Sequence, residues 1–153
     1  MTSKVSEAEI VYKRRHNIST LQQVQALLNE ADFSFDEDWF TVNPPSHVVV
    51  AELEGKVIGS VAASPIYSRT AYIPWLVVKE EHRCNGVAVA MLHVLFGVLK
   101  GQGYTYFEAT TTQDEPEVSF YTRMGLSLGS KAYIVEGDIE ETQELIEDYH
   151  VNK

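Results

Sequence analysis

From Val77 to Gly103 the chain reads VVKEEHRCNGVAVAMLHVLFGVLKGQG: an apolar run ending at Val78, a polar connection, then an apolar run at helical spacing from Val87. A strand that stops, turns and restarts as a helix presents backbone N–H groups that the helix cannot use, at the positive end of its dipole. Such a junction binds anions. Gly86 and Ala88 keep side-chain bulk away from a phosphate approaching the backbone, and Arg83 adds a permanent charge with fork geometry. The same residues also fit a tight strand-to-helix turn with an incidental glycine. Neither the dinucleotide fingerprint G-x-G-x-x-G nor the phosphate loop G-x-x-x-x-G-K-[ST] occurs.

Other reactive side chains are sparse. Tyr121, in DEPEVSFYTRMGL, reads by itself as a core aromatic beside Phe120 on a helix face. Cys84 is the single cysteine, so no internal disulfide forms and a reducing cytosol is expected. No histidine and aspartate arrangement points to it, and a small filler role is the simpler reading. The histidines at 16, 47, 82, 93 and 150 are scattered, with no H-E-x-x-H, so no metal site is expected. Phe33, Phe35, Trp39 and Phe40, interleaved with Asp36, Glu37 and Asp38, read as core packing or as a pocket suited to a cationic amine.

The elements that must position these residues follow from periodicity. A strand is expected over 10–15, then a helix from a Ser19 cap to about Asn29 with Leu21, Val24, Leu27 and Leu28 on one face. HVVVAELEGKVIGSVAAS reads as a hairpin turning at Glu54-Gly55. TAYIPWLVV is a strand in which Pro74 requires a bulge or an unpaired position. A helix over Val87–Leu99 carries Val87, Met91, Val94, Leu95 and Val98 at helical spacing and ends at Gly101 and Gly103. YTYFEATT is a further strand, and Asp114 caps a helix with Pro116 in its first turn and Gly125 at its end. LSLGSKAYIVEG is a sixth strand, and a last helix runs from Ile139 to about Tyr149. Hairpin-linked strands followed by strand-helix-strand crossovers make a mixed sheet with helices on both faces.

At 153 residues, without repeat or linker, the chain is expected to form one domain over 1–153. No stretch has the ~18 to 20 uninterrupted apolar residues of a membrane span, and the start lacks the pattern of a secretory signal. A cytoplasmic protein with no membrane partner is expected. The formal charge of −10, with KRR at 13–15 the one basic cluster, argues against a nucleic-acid surface. A negative field favours a cationic partner.

The segment from Leu76 to Gly103 resembles the acetyl-CoA-binding motif of the GNAT superfamily of N-acyltransferases. Its signature Gln/Arg-x-x-Gly-x-Gly/Ala is met by Arg83, Gly86 and Ala88 after a strand ending Leu76-Val77-Val78. A second family motif, Asn-x-x-Ala-x-x-hydrophobic-Tyr-x-x-x-Gly-Phe, is met by Phe120, Tyr121 and Gly125, with Asp114, Glu117 and Leu126 in the Asn, Ala and Phe positions. The resemblance covers about Val48 to Val135. It implies an α+β fold with a mixed, largely antiparallel sheet of six to seven strands, helices on both faces, and splayed fourth and fifth strands whose gap pantetheine fills.

What the resemblance implies for the residues is specific. Backbone of Leu76, Val77 and Val78 would bond the pantetheine amides, and backbone N–H groups over Arg83, Cys84, Asn85, Gly86, Val87 and Ala88 would hold the pyrophosphate. Asp114 would fall in the cofactor site, and Tyr121 would be the general acid. The cosubstrate would be acetyl-CoA, with no metal, and the reaction direct attack by a primary amine in a ternary complex. The acceptor would be a cationic small molecule or a protein amine, and homodimers are common in such proteins. A lysine-like amine with pKa ~10.4 is neutral about once in 2,500 molecules at pH 7, so a base is needed. Some family branches place a glutamate where Ala109 stands here. Glu108 is one residue away and should face the other side of the strand unless a bulge shifts it. Glu80, His82, Glu52 and Asp114 are other candidates, as is a water chain. Two alternatives stand beside the enzyme: a catalytically silent module of the same fold, and a small α/β protein for another phosphorylated ligand.

Overall fold

β2 (His47–Leu53) sends Val48 and Val50 into one apolar cluster and Val49 and Ala51 into another, the period-2 pattern of a strand buried on both faces. The computed structural model describes residues 9–14, 17–31, 45–83, 85–110 and 134–151. Within them the order is β1 (Val11–Arg14), α1 (Ile18–Glu30), β2, β3 (Lys56–Tyr67), β4 (Thr70–Ile73), β5 (Leu76–Val78), a 3-10 turn (Glu80–His82), α2 (Val87–Gly101), β6 (Tyr106–Thr110), β7 (Ile134–Asp138) and α3 (Ile139–Val151). The seven-stranded sheet runs β1-β2-β3-β4-β6-β7, with β5 paired to β3 off this path. All its pairings are antiparallel except β4 with β6. This is the expected mixed, largely antiparallel sheet.

The two faces carry separate cores. α1 lays Leu21, Val24, Leu27 and Leu28 on Val48, Val50, Val57, Ala62, Trp75 and Val77. On the other face α2 and α3 pack on Val49, Val61, Ala71, Ile73, Phe107 and Ala109. α2 buries Val87, Met91 and Leu95 as its spacing predicts; Leu92, Phe96 and Leu99 are buried as well, while Val94 and Val98 are half-buried. Phe96 meets Phe107 at 4.9 Å between ring centroids. Each such side chain contributes roughly 1.5–3 kcal/mol on burial.

Three local expectations change. The cap of α1 is Asn17, whose Oδ1 accepts the Thr20 N–H at 2.8 Å, so the helix starts before Ser19. TAYIPWLVV is two strands, β4 and β5, for the reason given below. β6 starts at Tyr106, because the N–H groups of Thr105 and Tyr106 both turn to the Arg69 carbonyl. The Glu54-Gly55 turn is confirmed, with φ of 53° and 80° at its two residues. The expected helix at 114–125 and the start of the sixth strand lie outside the described residues. Among the described residues no helix is long and apolar enough to cross a membrane.

Candidate active site

A single extra residue opens the sheet. Tyr72 faces Ser64 on β3 and Leu76 faces Val61, so four steps along β4 and β5 oppose three along β3. Pro74 has no N–H to keep a ladder, and the slip bends the strand there. The consequence is a change of neighbour: Thr70 to Ile73 pair with Tyr106 to Ala109, but Leu76 to Val78 pair only with β3 among the described residues. One edge of β5 thus carries main-chain donors and acceptors without a strand beside it. A buried relay anchors the bend. Trp75 Nε1 donates to Ser60 Oγ at 3.1 Å, and Ser60 Oγ donates to the Val49 carbonyl at 3.1 Å, with Trp75 2% and Ser60 0% exposed.

β5 leads directly into the turn before α2. Gly86 precedes α2 with φ 80° and ψ 6°, left-handed geometry that glycine adopts without strain. The first intrahelical bond runs from Ala90 N–H to the Gly86 carbonyl at 3.0 Å, so the N–H groups of Val87, Ala88 and Val89 precede the ladder at the positive helix end. The Arg83 N–H is used inside the turn, donating to the Glu80 carbonyl at 3.2 Å. The Arg83 side chain folds back, its Nε donating to the Val78 carbonyl at 2.9 Å. Gly59 on β3 lets α2 sit close: a Cβ there would meet Met91 Cε at 3.0 Å and the Val77 carbonyl at 3.2 Å. Asn85 is exposed beside Gly86. Cys84, Asp114, Tyr121 and the aromatics at 33–40 lie outside the described residues.

The carboxylate question is decided by register. β6 pairs with β4 and β7 without a slip, so no bulge moves its side chains. Ala109 is 2% exposed inside the core under α2 and α3, where a carboxylate would lack solvent. Glu108 faces the opposite side, as alternation requires. There the Tyr67 hydroxyl donates to Glu108 Oε2 at 2.5 Å, and the Tyr106 hydroxyl donates to Glu136 Oε1 at 3.0 Å. Glu108 and Glu136 are cross-strand partners. The hydrogen bond to Glu108, then desolvation and the fields of both glutamates, holds the Tyr67 phenol above its ordinary 10.0. The bond to Glu136 does the same for Tyr106. Glu52 is paired with Lys13 at 3.1 Å on β2, three strands from β6. Glu80 and His82 stand in the turn between β5 and α2.

Sequence reasoning missed Tyr67, Tyr106, Glu136 and the Trp75–Ser60 relay. Tyr106 and Glu108 do share a face by simple alternation, but Tyr67 joins them only through the bulged β3–β4 hairpin and the long-range pairing of β4 with β6. Among the described residues no group of three or more His, Cys, Asp and Glu side chains could hold a metal ion. A cavity of about 380 Å³ bordered by Lys100, Tyr104, Asp138 and Glu144 lies at the far end of α2 from Gly86.

The family model of the GNAT acetyltransferases matches residues 14–126, which span the opened sheet and the glycine loop. A search of curated protein sequences gave no match. Solved structures share the fold. A GNAT-family protein from Desulfovibrio desulfuricans superposes with TM-score 0.73 at 18% identity, over 86% of this chain and 99% of that one. The ribosomal-protein-S18-alanine N-acetyltransferase of Escherichia coli gives 0.72 at 13%, over 86% and 94%. The E. coli GNAT-family N-acetyltransferase YhbS, solved in complex with CoA, gives 0.67 at 20%, over 90% and 84%. With more than half of its length matched, and with the strand opening and the glycine-led helix in place, the chain belongs to the GNAT family of acetyltransferases.

Proposed function

We propose that the protein transfers an acetyl group from acetyl-CoA to a primary amine by direct attack in a ternary complex. The observation that carries this reading is the edge of β5 that no described strand pairs, running into the Gly86 turn. An extended pantetheine chain bonds to such an edge as an added strand does, and a pyrophosphate is attracted to a helix start whose first three N–H groups precede the helix ladder. Leu76 and Val78 turn their main-chain groups to that edge and are the pantetheine contacts, Val77 being paired with Ser60 on β3 and the Val78 carbonyl held by Arg83 Nε. Asn85 to Ala88 are the pyrophosphate contacts, with Arg83 supplying charge from its Nη groups. A CoA-bound relative of the same fold supports the cosubstrate class.

Glu108 is the base in this reading, acting from the face opposite the one that the Ala109 side chain takes, since no bulge turns it to that side. It lies on β6 one residue before Ala109, whose partner Ile73 is the last residue of β4 before the opening, on the face away from α2 and α3. The amine gives a proton to the Glu108 carboxylate, and its freed lone pair attacks the thioester carbonyl carbon. The carbon–sulfur bond then breaks, and Tyr121 protonates the departing thiolate, which leaves as free CoA. The second proton that the nitrogen sheds as the amide forms restores Tyr121 through solvent, and Glu108 releases its proton to bulk water. Neutralising a lysine-like ammonium at pH 7 accounts for about 4.6 kcal/mol of barrier, which is the work assigned to Glu108.

The test is acetyl transfer from labelled acetyl-CoA to a panel of polyamines, amino acids, aminoglycosides and peptides with free N-termini. Labelled amide above the hydrolysis background is expected with at least one acceptor. Label lost only to water at the uncatalysed rate would contradict the proposal.

A further inference from the structure

The hairpin joining β3 to β4 carries a bulge and a left-handed turn residue, and the bulge acts on Tyr67. Pro65 faces Ala71 and Tyr67 faces Thr70, so Ile66 is an extra residue on β3. Strict alternation from Ser64 would put Ile66 on the Glu108 face and Tyr67 on the opposite one. The bulge exchanges them, which is how bulges re-aim side chains. Arg69, in the connecting turn, adopts φ 59°, a left-handed conformation uncommon outside glycine. The outcome is a phenol, on a residue 60% exposed, that reaches across β4 to Glu108 Oε2. Burial does not account for it, because Tyr67 contributes little to either core.

Four groups surround the Glu108 carboxylate: Tyr67 from β3, Tyr72 in register on β4, Tyr106 on its own strand and Glu136 opposite on β7. Among the described residues the Tyr106 hydroxyl donates to Glu136, and the Tyr67 hydroxyl donates to Glu108. We propose that Tyr67 is a positioning residue for acetyl transfer: its hydroxyl occupies Oε2 and fixes the Glu108 rotamer, so that Oε1 is presented to the acceptor amine. The proposal rests on Glu108 as the base. Oε1 takes the ammonium proton, the nitrogen keeps the electron pair for attack, and Tyr67 keeps its own proton throughout. A hydrogen-bonded carboxylate offers one oxygen in one direction, where a free one samples several rotamers.

The experiment is a double-mutant cycle with Tyr67→Phe, Glu108→Gln and the pair, using whichever panel amine the wild type acetylates fastest. Tyr67→Phe should lower kcat about tenfold or more, the worth of one hydrogen bond to a charged group, with the KM for acetyl-CoA unchanged. In the Glu108→Gln background the same change should cost less than about twofold, because the two residues act as a unit. Absorbance titration at 295 nm, with the Tyr67→Phe spectrum subtracted to isolate this phenol, should show it ionising at lower pH in Glu108→Gln than in the wild type. Full activity of Tyr67→Phe beside an impaired Glu108→Gln overturns the role of Tyr67 alone. An equal loss in both backgrounds, or an unmoved Tyr67 titration, also overturns it. Full activity of Glu108→Gln, or no amine acetylated by the wild type, removes the underlying reading and this role with it.

Discussion

Arg83 Nε donates to the Val78 carbonyl at 2.9 Å, tying the turn before α2 to the last residue of β5. Under the proposed function the guanidinium has two uses: Nε holds the loop against β5, and the Nη groups meet a phosphate. A lysine keeps the charge and loses the tie. Arg83→Lys and Arg83→Ala should both weaken acetyl-CoA binding about tenfold or more, measured by calorimetric titration. Wild-type affinity in the lysine variant would mean that charge alone matters.

Ser60 joins Trp75 to β2 with two buried hydrogen bonds at the bend that separates β5 from β6. Ser60→Ala removes both and should cost about 1–3 kcal/mol, lowering the unfolding midpoint by roughly 2 to 12 °C. Thermal unfolding checks this. An unchanged midpoint would show that packing of Trp75 under α1 holds the bend without the relay.

The phenols of Tyr67 and Tyr106 are raised above 10.0, each chiefly by its hydrogen bond to a glutamate. The folded state therefore keeps these protons longer than the unfolded chain. Their contribution to stability is fully present below pH 10 and is lost as the pH rises through the raised folded values. Alkaline unfolding followed by circular dichroism should show a shallower loss above pH 10 in Tyr106→Phe than in the wild type. Identical alkaline limbs would mean that the pair does not persist in solution.

Tyr121, named by its motif alone, is assigned the proton that goes to the thiolate. Tyr121→Phe should lower turnover at least about tenfold, within the range general acids contribute, while acetyl-CoA affinity stays nearly unchanged. Steady-state kinetics separates the two. Full turnover would remove Tyr121 from the chemistry.

Local patterns made most of the fold legible. Alternation in HVVVAEL, the Glu54-Gly55 turn and the apolar spacing of Val87 to Leu99 each depend on residues close in sequence, and all appear where expected. The α1 cap moved because Asn17 and Ser19 are both capping residues two apart, and only geometry distinguishes them. Pro74 announced a disturbance, but the pairing of Thr70–Ile73 with β6 rather than β5 depends on strands more than thirty residues apart. The Glu108 face was legible from alternation. Its partner Tyr67 was not, because a one-residue bulge reverses the side that alternation assigns.

The most direct test of the account is thermal unfolding with and without acetyl-CoA, using ATP and NAD at equal concentration as controls and Gly86→Glu as the blocked loop. Gly86 sits at φ 80°, so glutamate adds strain, bulk and negative charge where the pyrophosphate would rest. At about 100 times its dissociation constant a ligand adds ~2.7 kcal/mol, which raises the midpoint of a domain this size by roughly 5 to 11 °C. The account predicts that shift for acetyl-CoA alone in the wild type and its loss in Gly86→Glu. No shift at saturating acetyl-CoA, or an equal shift in the glutamate variant, would contradict it.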